Sequence, residues 1–449
     1  MSKHPTPSEI DDFVQGRLAP SLFPRIARHL LRDCPSCNAL LAPHYQGLAS
    51  SVSAPSPDTV TVHDEILDRA FSLLRPYRRY LRRVEIRRKK IAALLSEDEE
   101  LEALIHRPDP RLKGLGAVKA LLDHSWAVRH ESPKKMVALA RLAVHFSSSL
   151  DPRWHDEWDS ADWQARAWGE LGNAHRVADD LNEAERAFGL AFEFFLRGTG
   201  DVHLKVKFYD LHASFLGTRR QFDLAFAALD IVHSTYLEIG DSHLAGKALI
   251  TKAMYLHYSN QTEMARAVNE QAMQMIDQTR DSDLLFFSVH NQIDFLVACG
   301  KFREARNTLF RFSSSLQSLE GRVYKLRLRW IKARISAGLR TWKSAETDLL
   351  HVKTGFEEEG MGFAAALASL DLALLWMRQS RYEETERLVL EASGVFVALR
   401  IQREALGAMM VLKESFEKQK GSIGLLEDVV EFLRRWHPNS HERFMPRGE

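Results

Sequence analysis

The chain has 449 residues, 45% of them hydrophobic, and a formal net charge of +1. That suits several domains or one repeat array, and it excludes a global pull toward nucleic acid or membrane. Three cysteines are too few for a disulfide-stapled secreted fold, and neither an apolar leader nor a run of about 18 apolar residues occurs, so a cytoplasmic protein is expected.

Residues 1–45 form a small helical module whose chemistry lies in His29, Cys34 and Cys37. Cys34-Pro35-Ser36-Cys37 offers two thiolates at the bite of a tetrahedral zinc ion, a better fit in the cytosol than a disulfide. A five-residue step along a helix turns side chains about 140° apart. Cys34 must therefore lie past the helix end, in the Asp33-Cys34-Pro35 turn, to converge with His29. The stretch 4–43 resembles the zinc-binding anti-sigma domain, a helical module with an H-x3-C-x2-C core. That resemblance implies zinc held by His29, Cys34 and Cys37, with His4 placed as a fourth ligand. It also implies a bacterial regulator that sequesters a sigma factor or a similar helical protein. The sequence departs from the pattern by one residue between His29 and Cys34. The alternative is a metal-free module held by Phe13, Leu18, Phe23, Ile26, Leu30 and Leu40.

Residues 46–62, rich in Ser, Pro and Ala, read as a flexible linker. A charged helical region follows over 63–112, with a break or bend expected near Pro76. Its segment 75–90, RPYRRYLRRVEIRRKK, is densely basic, and the acidic SEDEELE lies at 96–102. With Tyr77 and Tyr80, the basic helix suits phosphates or an anionic membrane face. Pairing with the nearby acids makes it a solvated structural helix instead, which is the preferred reading. Binding to nucleic acid is the weaker expectation, and a membrane partner is not expected.

Residues 113–437 read as a repeat array. A degenerate hairpin is expected over 113–150, with Met136 or Ala138 near the helix crossing. The stretch Trp154–Asp159 reads as a loop feeding a helix from about Ala161, capped by Asp159 or Ser160. Trp168, Leu171-Gly172, His175, Ala184, Phe188 and Ala191 then fall at the offsets of the tetratricopeptide pattern, with His175 in place of the usual Tyr. The small residue of the second helix recurs at Ala184, Ala225, Ala265, Ala305 and Ala345, with Thr385 continuing the series. Gly200, Gly240 and Gly360 keep the same grid, Gly321 lies one place off, and glycine there fits a left-handed helix end. This long period resembles the tetratricopeptide arrays of bacterial signalling and transcription regulators, including the maltose-activator type. The expected fold is all-α: a right-handed superhelix of antiparallel helical hairpins, a TPR-like α-solenoid. Cys299 is expected in its core. Residues 402–437 are expected to form a capping hairpin, with a polar tail over 438–449.

Such an array chooses its ligand on a concave face. Counting from the repeat, the inward residues are Arg166, Asn173, Lys207, Lys247, His257, His290, Asp294, Arg327, Trp330 and Arg334. This cation-rich set with an aromatic anchor suits an acidic peptide or helix; the alternative is a solvated polar face. No GxxxxGK[ST], HExxH or GxSxG motif occurs, so no catalytic residue is assigned and an enzyme is not expected. The reading is a protein–protein interaction scaffold or regulatory adaptor. A peptide- or small-effector-sensing regulator is the alternative.

Overall fold

The computed structural model describes residues 4–15, 17–19, 22, 25–26, 29, 37, 39–43, 57–95 (side chains from 75), 112–130, 132–178, 180–277, 279–313, 321–398, 409–410, 412–413, 416, 421–435 and 444. Among them every regular element is helical. The fold is the expected all-α stack of adjacent helix pairs, in two compact units, Met1–Phe215 and Leu216–Glu449.

In the first unit, α1 (Pro7–Val14) starts at a capping box, with Thr6 accepting from the Glu9 N–H and the Glu9 carboxylate accepting from the Thr6 N–H at 2.7 Å. α2 (Pro57–Leu95) begins inside the segment read as linker and runs through Pro76 instead of breaking there. Its Tyr77 is buried with Ile10, Phe13, Leu18, Ile26 and Leu41. The N-terminal module is therefore packed onto α2. Further along, Val84, Ile91 and Leu95 share a core with α3 (Leu115–Ala127) and α4 (Pro133–Ser147). The approach is close: a Cβ at Gly116 would meet the Val84 carbonyl oxygen at 2.7 Å. Of the two crossing residues expected in this hairpin, Met136 is the buried one, and its carbonyl accepts from the Ser125 hydroxyl.

α5 (Glu157–Val177), α6 (Leu181–Arg197) and α7 (Val202–Thr218) follow. The N-cap of α5 is Asp156, three residues before the expected Asp159, because Asp156 accepts from the Asp159 N–H while the Asp159 side chain is committed to the interior. Gly172 serves the close crossing of α5 and α6, since a Cβ there would stand 2.9 Å from the Phe188 ring.

In the second unit the chain continues as α8 (Phe222–Glu238), α9 (Ser242–Tyr258), α10 (Thr262–Met275), α11 (Ser282–Ala298) and α12 (Phe302–Arg311). It then forms α13 (Arg322–Gly338), α14 (Trp342–Glu358), α15 (Gly362–Met377), α16 (Tyr382–Ala398) and α17 (Ile423–Arg435). The 40-residue period is twice one unit of construction: a 17-residue helix and a three-residue turn, as in α7 to α9 and α13 to α14. Each such turn holds one left-handed residue, at Arg220, Gly240, Asn260, Gly300, Arg340 and Gly360. The next N–H reaches back five residues, as in Gln221 to Leu216 O, Asp241 to Tyr236 O, Gln261 to Leu256 O and Thr341 to Ser336 O. That is the Schellman closure. Asp201, Asp241 and Asp281 then accept from the N–H three residues on and start α7, α9 and α11. At the crossings, Ala184, Ala225, Ala265, Ala305, Ala345 and Thr385 are all fully buried. Cys299, expected in the core, sits half-buried at the end of α11, in the turn.

Of the segment expected to cap the array, the described helix is α17. Leu426, Val429, Val430 and Leu433 of α17 join the core containing Leu370, Leu372 and Leu375 of α15. Its other residues enter the inner face of the second unit, as described below. Among the described residues no helix is long and apolar enough to cross a membrane.

Two substitutions test this construction by urea unfolding. Ala265→Leu should cost about 1–3 kcal/mol by overpacking the α9–α10 crossing. Arg340→Gly should raise stability by up to about 1 kcal/mol by relieving a left-handed non-glycine residue.

Candidate functional sites

The first site lies in the N-terminal module. His4, His29 and Cys37 place their ligand atoms within 4.8 Å of one another. Cys37 Sγ is 3.8 Å from His4 Nδ1, and the two imidazoles stand edge to face at 5.1 Å. His29 and Cys37 are buried. Arg25 holds this arrangement by donating to the His4 carbonyl at 2.9 Å and to Glu9 Oε2 at 3.1 Å. The Thr6 capping box that starts α1 thus also fixes where His4 enters the cluster. Two imidazoles and a thiol are the donor types zinc prefers, and bonds of about 2.0–2.3 Å let such a group converge on one ion. Cys34 lies outside the described residues.

On the first unit's helices, Arg166, Trp163 and Lys207 line a cavity of about 430 Å³ together with Asp162, Asp201, His203 and Leu204. The Arg166 guanidinium stands 5.4 Å from the Trp163 ring, and its Nε has no hydrogen-bond partner among the described residues. Lys207 is neutralised by Glu170 at 3.2 Å. Asn173, expected to face inward, is buried, and its side-chain oxygen accepts twice from Arg176.

In the second unit the expected residues fall into two groups. Lys247 is exposed and Arg327 half-buried. His257, Asp294 and Arg334 instead line a cavity of about 420 Å³, with Asp371, Arg378, Glu427, Glu431, Arg434 and Arg435 on its walls. Arg334 pairs with Asp294, one repeat back, and Trp330 Nε1 donates to Asp371 Oδ2 at 2.7 Å, one repeat ahead. Arg434 of α17 binds the other Asp371 oxygen. Burial alone pushes the Asp294 carboxyl up, yet the surrounding cations, Arg334 foremost, hold it well below the usual carboxylate range. Two of the cations expected to grip an acidic ligand, Lys207 and Arg334, are thus matched by acids of the chain itself. Asp371 and the place of α17 beside it were not read from the sequence, because an aspartate on a helix and a distant C-terminal segment carry no periodic signal linking them.

The basic helix also differs from expectation. Arg78, Arg79, Arg82, Arg83, Lys89 and Lys90 are exposed on α2. Tyr77 and Tyr80, however, point into the protein. Tyr80 stacks on Trp154 at 4.6 Å and its hydroxyl meets His155 Nε2, while His155 Nδ1 bonds buried Asp159. These aromatics lock α2 to the start of α5 and are not offered to bases. The acidic block at 96–102 lies outside the described residues.

Neither family models nor curated proteins match this sequence. Solved structures do match in fold. A Rap protein complexed with Competence and Sporulation Factor has a TM-score of 0.51 at 13% identity, over 71% of this chain and 86% of that one. Aspartyl phosphate phosphatase F from Bacillus subtilis has a TM-score of 0.50 at 12% identity, over 87% and 94%. A STAND signal-transduction ATPase with a tetratricopeptide repeat sensor, from Pyrococcus horikoshii, has a TM-score of 0.52 at 14% identity, over 84% and 54%. At these identities the likeness is one of fold.

The inner face also carries a pH signature. Burial pushes the His290 imidazole down to about 4 and lowers His257 in the same direction. The unfolded chain therefore takes up the proton first as pH falls, so the contribution of these groups is complete above pH 6.5 and is lost below it. Stability should drop by roughly 2–3 kcal/mol between pH 6.5 and about 4 on account of His290. Urea titrations at both pH values should show a smaller drop in His290→Asn.

Proposed function

We propose that this protein is a non-catalytic regulatory adaptor whose inner helix face, in the second unit, binds a protein or peptide partner. The observation that carries the reading is the placement of α17. A helix already lies against that face, joined to it by aliphatic side chains and by the contact of Arg434 with Asp371. A surface that accepts a helix of its own chain has the chemistry to accept one from another. The neighbour in complex with Competence and Sporulation Factor supports the same use of this fold.

The N-terminal cluster supports a zinc ion held by His4, His29 and Cys37, with Cys34 as the fourth ligand. The ion would fix the module's fold and take no part in a reaction. The resemblance of this module to anti-sigma domains favours a sigma factor, or a helical transcription regulator like it, as the partner. A second reading, effector sensing, is supported by the charged cavity of about 420 Å³ beside α17, which has room for a small ligand.

Chain purified without chelator should hold about one zinc, and Cys37→Ser should lose most of it; metal-free wild-type protein would sink the zinc assignment. Capture from a bacterial lysate, read by mass spectrometry, tests the adaptor reading. A partner retained by wild type and lost on Asp371→Asn places binding on the inner face, and one lost only on Cys37→Ser moves it to the N-terminal module. Partners unchanged by both substitutions would overturn the scheme.

A further inference from the structure

The helix α17 carries two signatures. Leu426, Val429, Val430 and Leu433 follow the i, i+3, i+4, i+7 spacing of an amphipathic helix and are buried. Beyond them, Arg434 meets an acidic end of the inner face, where Asp371 is oriented by the Trp330 indole. The helix is clipped at its side by Arg378, which donates to Glu427 at 2.6 Å. A helix serving only to cap the last pair would have no reason to extend further. This one reaches repeats far back in the chain. The Arg435 carbonyl accepts from Arg220 at 3.5 Å, and Glu431, Arg434 and Arg435 share one cavity with His257 and Thr262.

The fit is uneven along the helix. The aliphatic side packs into a continuous core, whereas the C-terminal turn borders a cavity of about 420 Å³ with Asp294, Arg334, Asp371 and Glu431 among its lining residues. Arg434 is half-buried close to Arg334, a like charge, with Asp371 and Asp294 as the compensating acids. Ion pairs taken out of water recover little net energy even when well formed. A contact of that kind selects an occupant more than it fastens one.

We propose that α17 is an internal stand-in for the partner: the inner face of the second unit binds an amphipathic helix of another protein, with an aliphatic i, i+3, i+4, i+7 stripe followed by an arginine, and that helix enters by replacing α17. This rests on the protein-binding reading above and deepens it. The recognition element is Asp371 held by Trp330, and the ligand's arginine takes the place of Arg434. Such a device makes binding conditional, because the apparent affinity falls with the fraction of chains whose α17 is open.

The test uses the full-length chain and a fluorescent peptide of the sequence 421–437 as probe. Native-state hydrogen exchange on the wild type should show α17 amides exchanging at least about tenfold faster than those of α15, as expected of a segment that opens locally. Peptide binding should be at least about tenfold tighter to Arg434→Glu than to wild type, because the competing helix in the same chain is weakened. Asp371→Asn should reduce it in both backgrounds. Exchange of α17 and α15 at one rate would overturn the proposal, including where Arg434→Glu fails to fold. So would a folded Arg434→Glu chain that binds the peptide no better than wild type. A lysate partner that binds while α17 stays protected would keep the adaptor reading and remove this one.

Discussion

The structure depends on a three-residue turn with one residue in the left-handed conformation. Ending a 17-residue helix there, with the next N–H bonded five residues back, reverses the chain at a fixed length. Equal helices then bring the same side-chain positions into register from pair to pair, so that one small residue in each second helix suffices for the close crossing. Glycine meets the backbone requirement at Gly240 and Gly360 without a Cβ penalty. At Arg220, Asn260, Arg340 and Ser380 an ordinary residue takes it, and the cost is carried by packing on either side. Where the pattern lapses, so does the length: α10 has 14 residues and α12 has 10.

Register also governs the electrostatics. Because equivalent positions lie one repeat apart, a cation finds an acid about one repeat back: Arg334 with Asp294, Arg280 with Asp241, and Lys301 with Glu263. The exposed pairs add little stability. The interior pair costs desolvation on both sides and is of use chiefly in fixing which groups face the cavity. The cavity beside α17 is lined by groups of both signs, and the Trp330 indole bonds one of its acids.

The N-terminal module follows the same economy of parts. Thr6, Glu9 and Arg25 form one chain of contacts that starts α1, holds His4 in place and brings the imidazole toward His29 and Cys37. Tyr77 and Tyr80, within the most basic stretch of the sequence, serve as apolar and hydrogen-bonding anchors for what lies beneath them. The basic residues between them are left on the outside of α2, as helical periodicity requires.

By itself the sequence determined the all-α class, the 40-residue period and the crossing residues from Ala184 to Thr385. These are legible because repetition is local, and each copy states the rule again. The left-handed Arg220, Asn260, Arg340 and Ser380 were hidden because turn geometry there overrides residue preference. Only the tertiary structure decided that Asn173 is buried, that Lys207 and Arg334 are neutralised, and that Tyr77 and Tyr80 face inward. It alone set α17 against the inner face, with Arg434 on Asp371, a contact across 63 residues. Nothing periodic connects those two positions. Packing chose their meeting, because only the folded stack brings the end of the chain back over the repeats that precede it.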